Sequence, residues 1–111
     1  MSGGAAPLGV LEEQVLLAVL RTAGDAFGMQ VRREIEHVTG RELAIGAVYA
    51  TLDRLEAKGL LVSSRVHDAG ASRRLFELSA AGAQALADTR AMRERLWKGV
   101  HLPRHLAPEG R

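Results

Sequence analysis

Tyr49, Thr51, Arg54 and Lys58 stand within one ten-residue stretch and supply two hydroxyls and two cations, beside the carboxylates of Asp53 and Glu56. Groups of this kind suit hydrogen bonds to phosphate oxygens and base edges rather than bond breaking. Their neighbours are small. Ile45, Val48, Leu52 and Leu55 fall at i, i+3, i+7 and i+10, which predicts a helix from about Gly46 to Lys58 with those four on a buried stripe. The outward face then holds Gly46, Ala47, Ala50, Asp53, Arg54 and Ala57, with Tyr49 and Thr51 on its flanks. A helix with so low a relief can lie against another rigid surface, and the major groove of DNA, about 12 Å wide, admits one. Ala47, Tyr49, Ala50, Thr51 and Arg54 are therefore the candidate reading residues.

Each polar residue also has a plainer role open to it. Tyr49 can contact phosphate, or sit at the edge of the core with its hydroxyl in water. Arg54 can read a base, or pair with a neighbouring carboxylate. Lys58 can meet DNA, or complement the dipole at the helix C-terminus. Arg65, Arg73 and Arg74 lie on a β-rich run where guanidinium groups can reach phosphates or a minor groove. Arg73 and Arg74 point to opposite faces of a strand, so Arg73 is expected to face solvent and Arg74 to brace the hairpin. Arg32 is a further phosphate candidate.

Other chemistries find no residues. The 111-residue chain has no cysteine, which excludes disulfides and thiolate metal sites. His101 and His105 are four apart, but Pro103 interrupts the helix that would align them, so neither a metal nor another cofactor is expected. There is no glycine-rich phosphate loop, no carboxylate pair in an apolar run and no nucleophile motif, and an enzyme is not expected. The longest apolar run, residues 15–20, is far short of a membrane span. Residues 1–7 lack the basic start and apolar segment of a secretory leader, and a cytoplasmic location is expected. The net charge of +2 does not announce a nucleic-acid binder. Arginine dominates the basic residues, a bias that a GC-rich genome would also produce.

The elements that position these groups follow from periodicity. A first helix is predicted over about Gly9–Ala23, with Leu11, Val15, Leu16, Val19 and Leu20 on its apolar face. A second covers about Gly28–Thr39, burying Val31, Ile35 and Val38 and closed by Gly40. Leu43-Ala44 suggests a very short strand before the third helix. Residues 60–66 and 73–78 read as strands joined by a loop, 67–72, longer than the tightest turns. Ser79 suits the N-cap of a last helix reaching about Gly99. The fold class is mainly α with a small β-hairpin: a winged helix-turn-helix over residues 9–78, a C-terminal dimerisation helix over 79–100, and flexible tails at 1–8 and 101–111.

These residues resemble the PadR-like bacterial transcriptional regulators over roughly residues 9–98. Phe27-Gly28-Met29-Gln30-Val31 stands where the family usually has Gly-Tyr-x-Ile, with Met29 replacing the common tyrosine. Residues 46–60 match its Gly-x-x-Tyr-x-x-Leu-x-x-Leu-Glu-x-x-Gly pattern. Residues 73–82 follow its basic pair, aromatic, Leu-Thr and Gly, although Ser79-Ala80-Ala81-Gly82 lacks the usual charged residues before the glycine. The single C-terminal helix makes it similar to short-form members. The resemblance implies a homodimeric DNA-binding protein, usually a repressor, whose third helix enters the major groove and whose Tyr49 contacts phosphate. It also implies dimers formed chiefly by the C-terminal helix against the partner's first helix.

Leu86, Met92, Leu96, Trp97 and Val100 are too apolar to leave uncovered on a terminal helix and too few for a central one, which points to a homodimer interface. Trp97, the only tryptophan, suits an interface anchor; two copies near a dimer axis would also make a platform for a planar small-molecule effector. Two functions fit these readings. One is a sequence-specific DNA-binding regulator, a homodimeric repressor on a pseudo-palindromic operator. The alternative is a winged-helix protein-interaction module without specific DNA binding.

Overall fold

The computed structural model describes residues 7–106. The predicted tails at 1–8 and 101–111 lie partly outside these residues; within them, Leu8 packs against the core and Arg104–Leu106 form a short 3-10 turn. Three helices, α1 (Val10–Arg21), α2 (Gly28–Thr39) and α3 (Ile45–Ala57), are followed by a hairpin of β1 (Leu61–Asp68) and β2 (Ala71–Leu78) and by α4 (Ala80–Trp97). Val15, Leu16 and Val19 of α1, Val31 and Ile35 of α2, and Val48, Leu52 and Leu55 of α3 close on one another. Leu61 and Phe76, from the base of the hairpin, seal the core from below. This is the winged helix-turn-helix arrangement, with a fourth helix set against one side.

The helix ends have local causes. Gly40 takes a left-handed φ of 73° and stops α2. Gly59, at φ 78°, stops α3 and lets the Leu60 amide return to the Leu55 carbonyl. The Ser79 hydroxyl accepts from the Gly82 amide at 3.0 Å and donates to the Gly59 carbonyl at 2.6 Å, so one side chain caps α4 and ties it to the end of α3.

Three expectations are corrected. Leu43-Ala44 is not a strand: the Glu36 carboxylate accepts from the Leu43 amide and Arg32 donates to the Leu43 carbonyl, both at bonding distance. Side chains of α2 thus occupy the groups that a ladder would use. A strand-like bond is made instead by the segment before α2, where the Phe76 amide donates to the Ala26 carbonyl at 3.0 Å. The hairpin is also tighter than predicted. Pairing runs out to Asp68↔Ala71, and the turn is only Ala69-Gly70, with positive φ at both (50° and 81°), as a tight twisted hairpin needs. Lastly, Leu20 and Val38, placed on buried faces by periodicity, are exposed. They border a groove between α1 and α2 that no part of the described chain covers.

Candidate nucleic-acid interface

Helix α3 packs Val48, Leu52 and Leu55 into the core and sets Tyr49 beside the hairpin arginines Arg65 and Arg73. Its ring lies over Gly28, the first residue of α2, where a Cβ would fall 2.5 Å from the Tyr49 Cζ and 2.7 Å from its hydroxyl oxygen. Gly28 is therefore required by the tyrosine. No side chain caps the N-terminus of α2, so the positive end of that helix opens beside the phenol. Tyr49 is 40 % exposed, its ring packed and its hydroxyl at the rim.

A recess of about 220 Å³ separates this helix end from the wing, lined by Phe27, Gly28, Gln30, Tyr49, Arg65 and Arg73, with Arg74 at its edge. Three guanidinium groups and no carboxylate line it. Arg73 stacks on Phe27, its Cζ 3.9 Å from the ring centroid, which holds the head group in place while leaving its edge free. Its only ionic neighbour among the described residues, Asp68, is 4.0 Å away. Arg65 lies directly across the ladder from Arg74 and makes no ion pair among the described residues. Cations held open beside a helix N-terminus form an anion-binding surface.

The other candidates are placed differently. Arg74 braces the wing as expected: it donates to Asp53 at 2.8 Å and to Glu56 at 2.5 Å, and lies 4.7 Å from the Phe76 centroid. The Asp53 and Glu56 carboxylates hold its proton more firmly than usual. Glu56 in turn sits below the usual carboxylate range, through the Ser63 hydroxyl first and then Arg74. Arg32 is occupied by the Leu43 carbonyl at 2.8 Å and by Glu36 at 3.5 Å. Thr51 is not on an outward flank. It is 2 % exposed, and its hydroxyl donates to the Ala47 carbonyl one turn back.

Arg54 and Lys58 both turn toward α1. Their nitrogens lie 3.3 and 2.8 Å from one oxygen of Glu12, whose other oxygen accepts from the Gly9 amide at 2.9 Å. Glu12 is buried, and Lys58, the Gly9 amide and Arg54 together hold its carboxyl down to about 2 against the cost of desolvation. Of the paired-carboxylate and base-reading roles open to Arg54, the structure displays the first. Glu12 was not legible as a partner, since it lies 42 and 46 residues from the cations it holds. Besides Tyr49 and the partnered Asp53, Arg54 and Lys58, what stands outward on α3 is Gly46, Ala47, Ala50 and Ala57.

Residues 16–88 match the sequence model of the Transcriptional regulator PadR-like family. The chain belongs to that family. The transcriptional regulator Rv3488 of Mycobacterium tuberculosis is 36 % identical over 88 residues, covering 78 % of this chain and 81 % of that protein. The fold is shared with a PadR-like transcription factor from Bacteroides fragilis (TM-score 0.70, 23 % identity, 89 % of this chain and 91 % of that one). It is shared too with Bacillus subtilis PadR solved in complex with operator DNA (TM-score 0.61, 20 % identity, 94 % of this chain and 52 % of that one). The family consists of transcriptional regulators, not enzymes.

The glycines of the PadR-like motifs acquire physical reasons here. Gly28 makes room for Tyr49. Gly82 is buried at the root of α4, where a Cβ would meet the Leu60 carbonyl oxygen and lie 2.6 Å from Leu78 Cδ1. From that root α4 runs past α1, pinned by Arg93, which reaches Glu13 at 2.5 Å. Leu86 packs against the chain's own core and Met92 is half-buried, whereas Leu96 and Trp97 are 70 % and 57 % exposed. Val100, Leu102 and Leu106 continue the exposed apolar series. Between α1 and α4 lies an open groove of about 570 Å³, floored by Leu17, Leu20, Leu78, Leu86 and Ala87 and rimmed by Glu13, Arg93 and Glu94. No helix of the described residues is long and apolar enough to cross a membrane.

Proposed function

We propose that this PadR-like regulator is a cytoplasmic, homodimeric repressor that binds a pseudo-palindromic operator, with α3 in the major groove and the wing along the flanking backbone. The observation that carries the reading is the recess of Tyr49, Arg65 and Arg73 beside the open end of α2, on the same surface as the exposed face of α3. Phosphates there would meet a phenol, two guanidinium groups and free helix amides at once, which fixes the helix in register. The Bacillus subtilis PadR complex supports the same use of the fold. Two α3 helices related by a dyad would read half-sites about 34 Å apart.

The dimer rests on a second surface. Helix α4 lies along α1, held by Arg93 and Glu13, and leaves Leu96 and Trp97 exposed at its C-terminal end. Its apolar end and the leucine-floored groove between α1 and α4 are complementary in chemistry, and a dyad can place each in the other. Trp97 serves as the anchor of that contact. In sedimentation, Leu96→Asp with Trp97→Asp should give monomers; an unchanged dimer would place the interface elsewhere.

The test of DNA binding is fluorescence anisotropy with duplex from just upstream of the protein's own gene against a scrambled duplex, across a salt series. Tight binding to the first alone, falling steeply with salt, is expected. Equal and weak binding to both would favour a protein-interaction module.

A further inference from the structure

Apart from Tyr49 on its wing-side flank, the exposed face of α3 has no hydrogen-bonding side chain free of a partner within the chain. Gly46, Ala47, Ala50 and Ala57 carry none. Asp53 is engaged by Arg74 at 2.8 Å. The Thr51 hydroxyl is buried and spent on the Ala47 carbonyl. Arg54 and Lys58 are drawn to the α1 side by Glu12. Of the residues able to make the two-pronged contacts that mark guanine or adenine, the helix carries only Arg54, and its Nε is turned to Glu12 at 3.3 Å. The major groove offers one apolar mark, the C5-methyl of thymine, and alanine methyls are suited to it.

Gly46 supplies an independent observation. It lies inside the first turn of α3 with no positive φ, and a Cβ there would meet nothing within 4 Å. Neither backbone conformation nor packing within the chain calls for glycine, which lowers helix stability relative to alanine. Gly28 and Gly82, by contrast, face atoms of the same chain. An open helical glycine on a face otherwise made of alanine is what close approach by an external surface would require.

We infer that α3 reads thymine: the methyls of Ala47 and Ala50 pack on thymine C5-methyl groups, Gly46 admits the groove edge, and Glu12 keeps Arg54 and Lys58 off guanine. Ala47 and Ala50 are three residues apart and so share a face, which places both against neighbouring base pairs. This rests on the DNA-binding reading above and specifies its chemistry.

The experiment selects sites from a random-sequence duplex library with the full chain, then replaces each thymine of the selected site by uracil, which removes only the methyl. Binding should weaken about fourfold at each contacted thymine, the factor for losing one buried methyl. The thymine–uracil difference should vanish at one position in Ala47→Gly and at another in Ala50→Gly; being a ratio within one variant, it is insensitive to any loss of fold stability. Gly46→Ala should raise the melting temperature and weaken binding together. Arg54→Ala should leave the selected sequence unchanged, and Glu12→Gln should bring guanine into it. A selected site indifferent to uracil, or one that loses a guanine with Arg54→Ala, overturns the inference while sparing DNA binding. Recovery of no preferred sequence overturns both.

Discussion

The two flanks of α3 carry the same kinds of residue and put them to opposite uses. On the wing side, Arg65 and Arg73 stand open, and Arg73 is steadied by the face of an aromatic ring rather than by a carboxylate. On the α1 side, Arg54 and Lys58 converge on a single buried glutamate. An aromatic face orients a guanidinium without neutralising it, whereas a buried carboxylate cancels much of its field. Whether a cation is available to a partner therefore depends less on its own exposure than on what lies beneath it. Arg54 and Lys58 have half-exposed side chains, yet both are engaged by Glu12.

Three measurements would break or sharpen that contrast. The largest effect is expected on the wing side: Arg65→Ala with Arg73→Ala should lower DNA affinity about 100-fold and reduce the salt slope by about two per protomer, one for each lost phosphate contact. A slope that does not change would remove these arginines from the interface. Next, Gly28→Ala should push the Tyr49 ring off the end of α2 and weaken all DNA sequences about tenfold, with little change of preference, as loss of a backbone contact does. A shifted preference would mean that Tyr49 reads bases.

The α1 side should respond to acid. Glu12 titrates at about 2 in the folded chain against an ordinary value near 4.5. Its contribution to stability is therefore complete above about pH 5 and fades as pH falls toward 2, because the unfolded chain takes up the proton first. With both cationic partners half open to solvent, that contribution is about 1–2 kcal/mol. Melting curves of the wild type and Glu12→Gln should differ at pH 7, draw together as pH falls below about 5 and meet only near pH 2. Parallel curves across that range would show that the glutamate is not the residue holding this flank.

Sequence periodicity locates the helices and the motifs, and the predicted span of about Gly28–Thr39 for α2 agrees with the structure because Gly40 closes it. It failed where local pattern and tertiary partner disagree. Thr51 falls between buried and open faces by angle, and a bond to its own helix decides in favour of burial. The turn at Ala69-Gly70 was missed because alanine is a poor advertisement for a positive φ; asparagine or aspartate there would have signalled it. Leu20 and Val38 are exposed although they lie on apolar faces, because periodicity reports which side is apolar and not what covers it. The Glu12 clasp was invisible for a simpler reason. Nothing local links a carboxylate in the first turn of α1 to cations at the end of α3, and only the packed core sets them side by side.

The joint at the root of α4 bears on how two copies would hold their reading heads apart. Gly82 seats the helix directly on the Leu60 carbonyl, and Ser79 stitches its first turn to the end of α3. In a dimer made through α4, the helix would act as an arm whose bearing is set at the base of the hairpin, and a tilt imposed at its far end would bear on α3 through these two contacts. A small molecule held there would not need to touch the DNA-facing surface to alter the fit of two such arms to one operator.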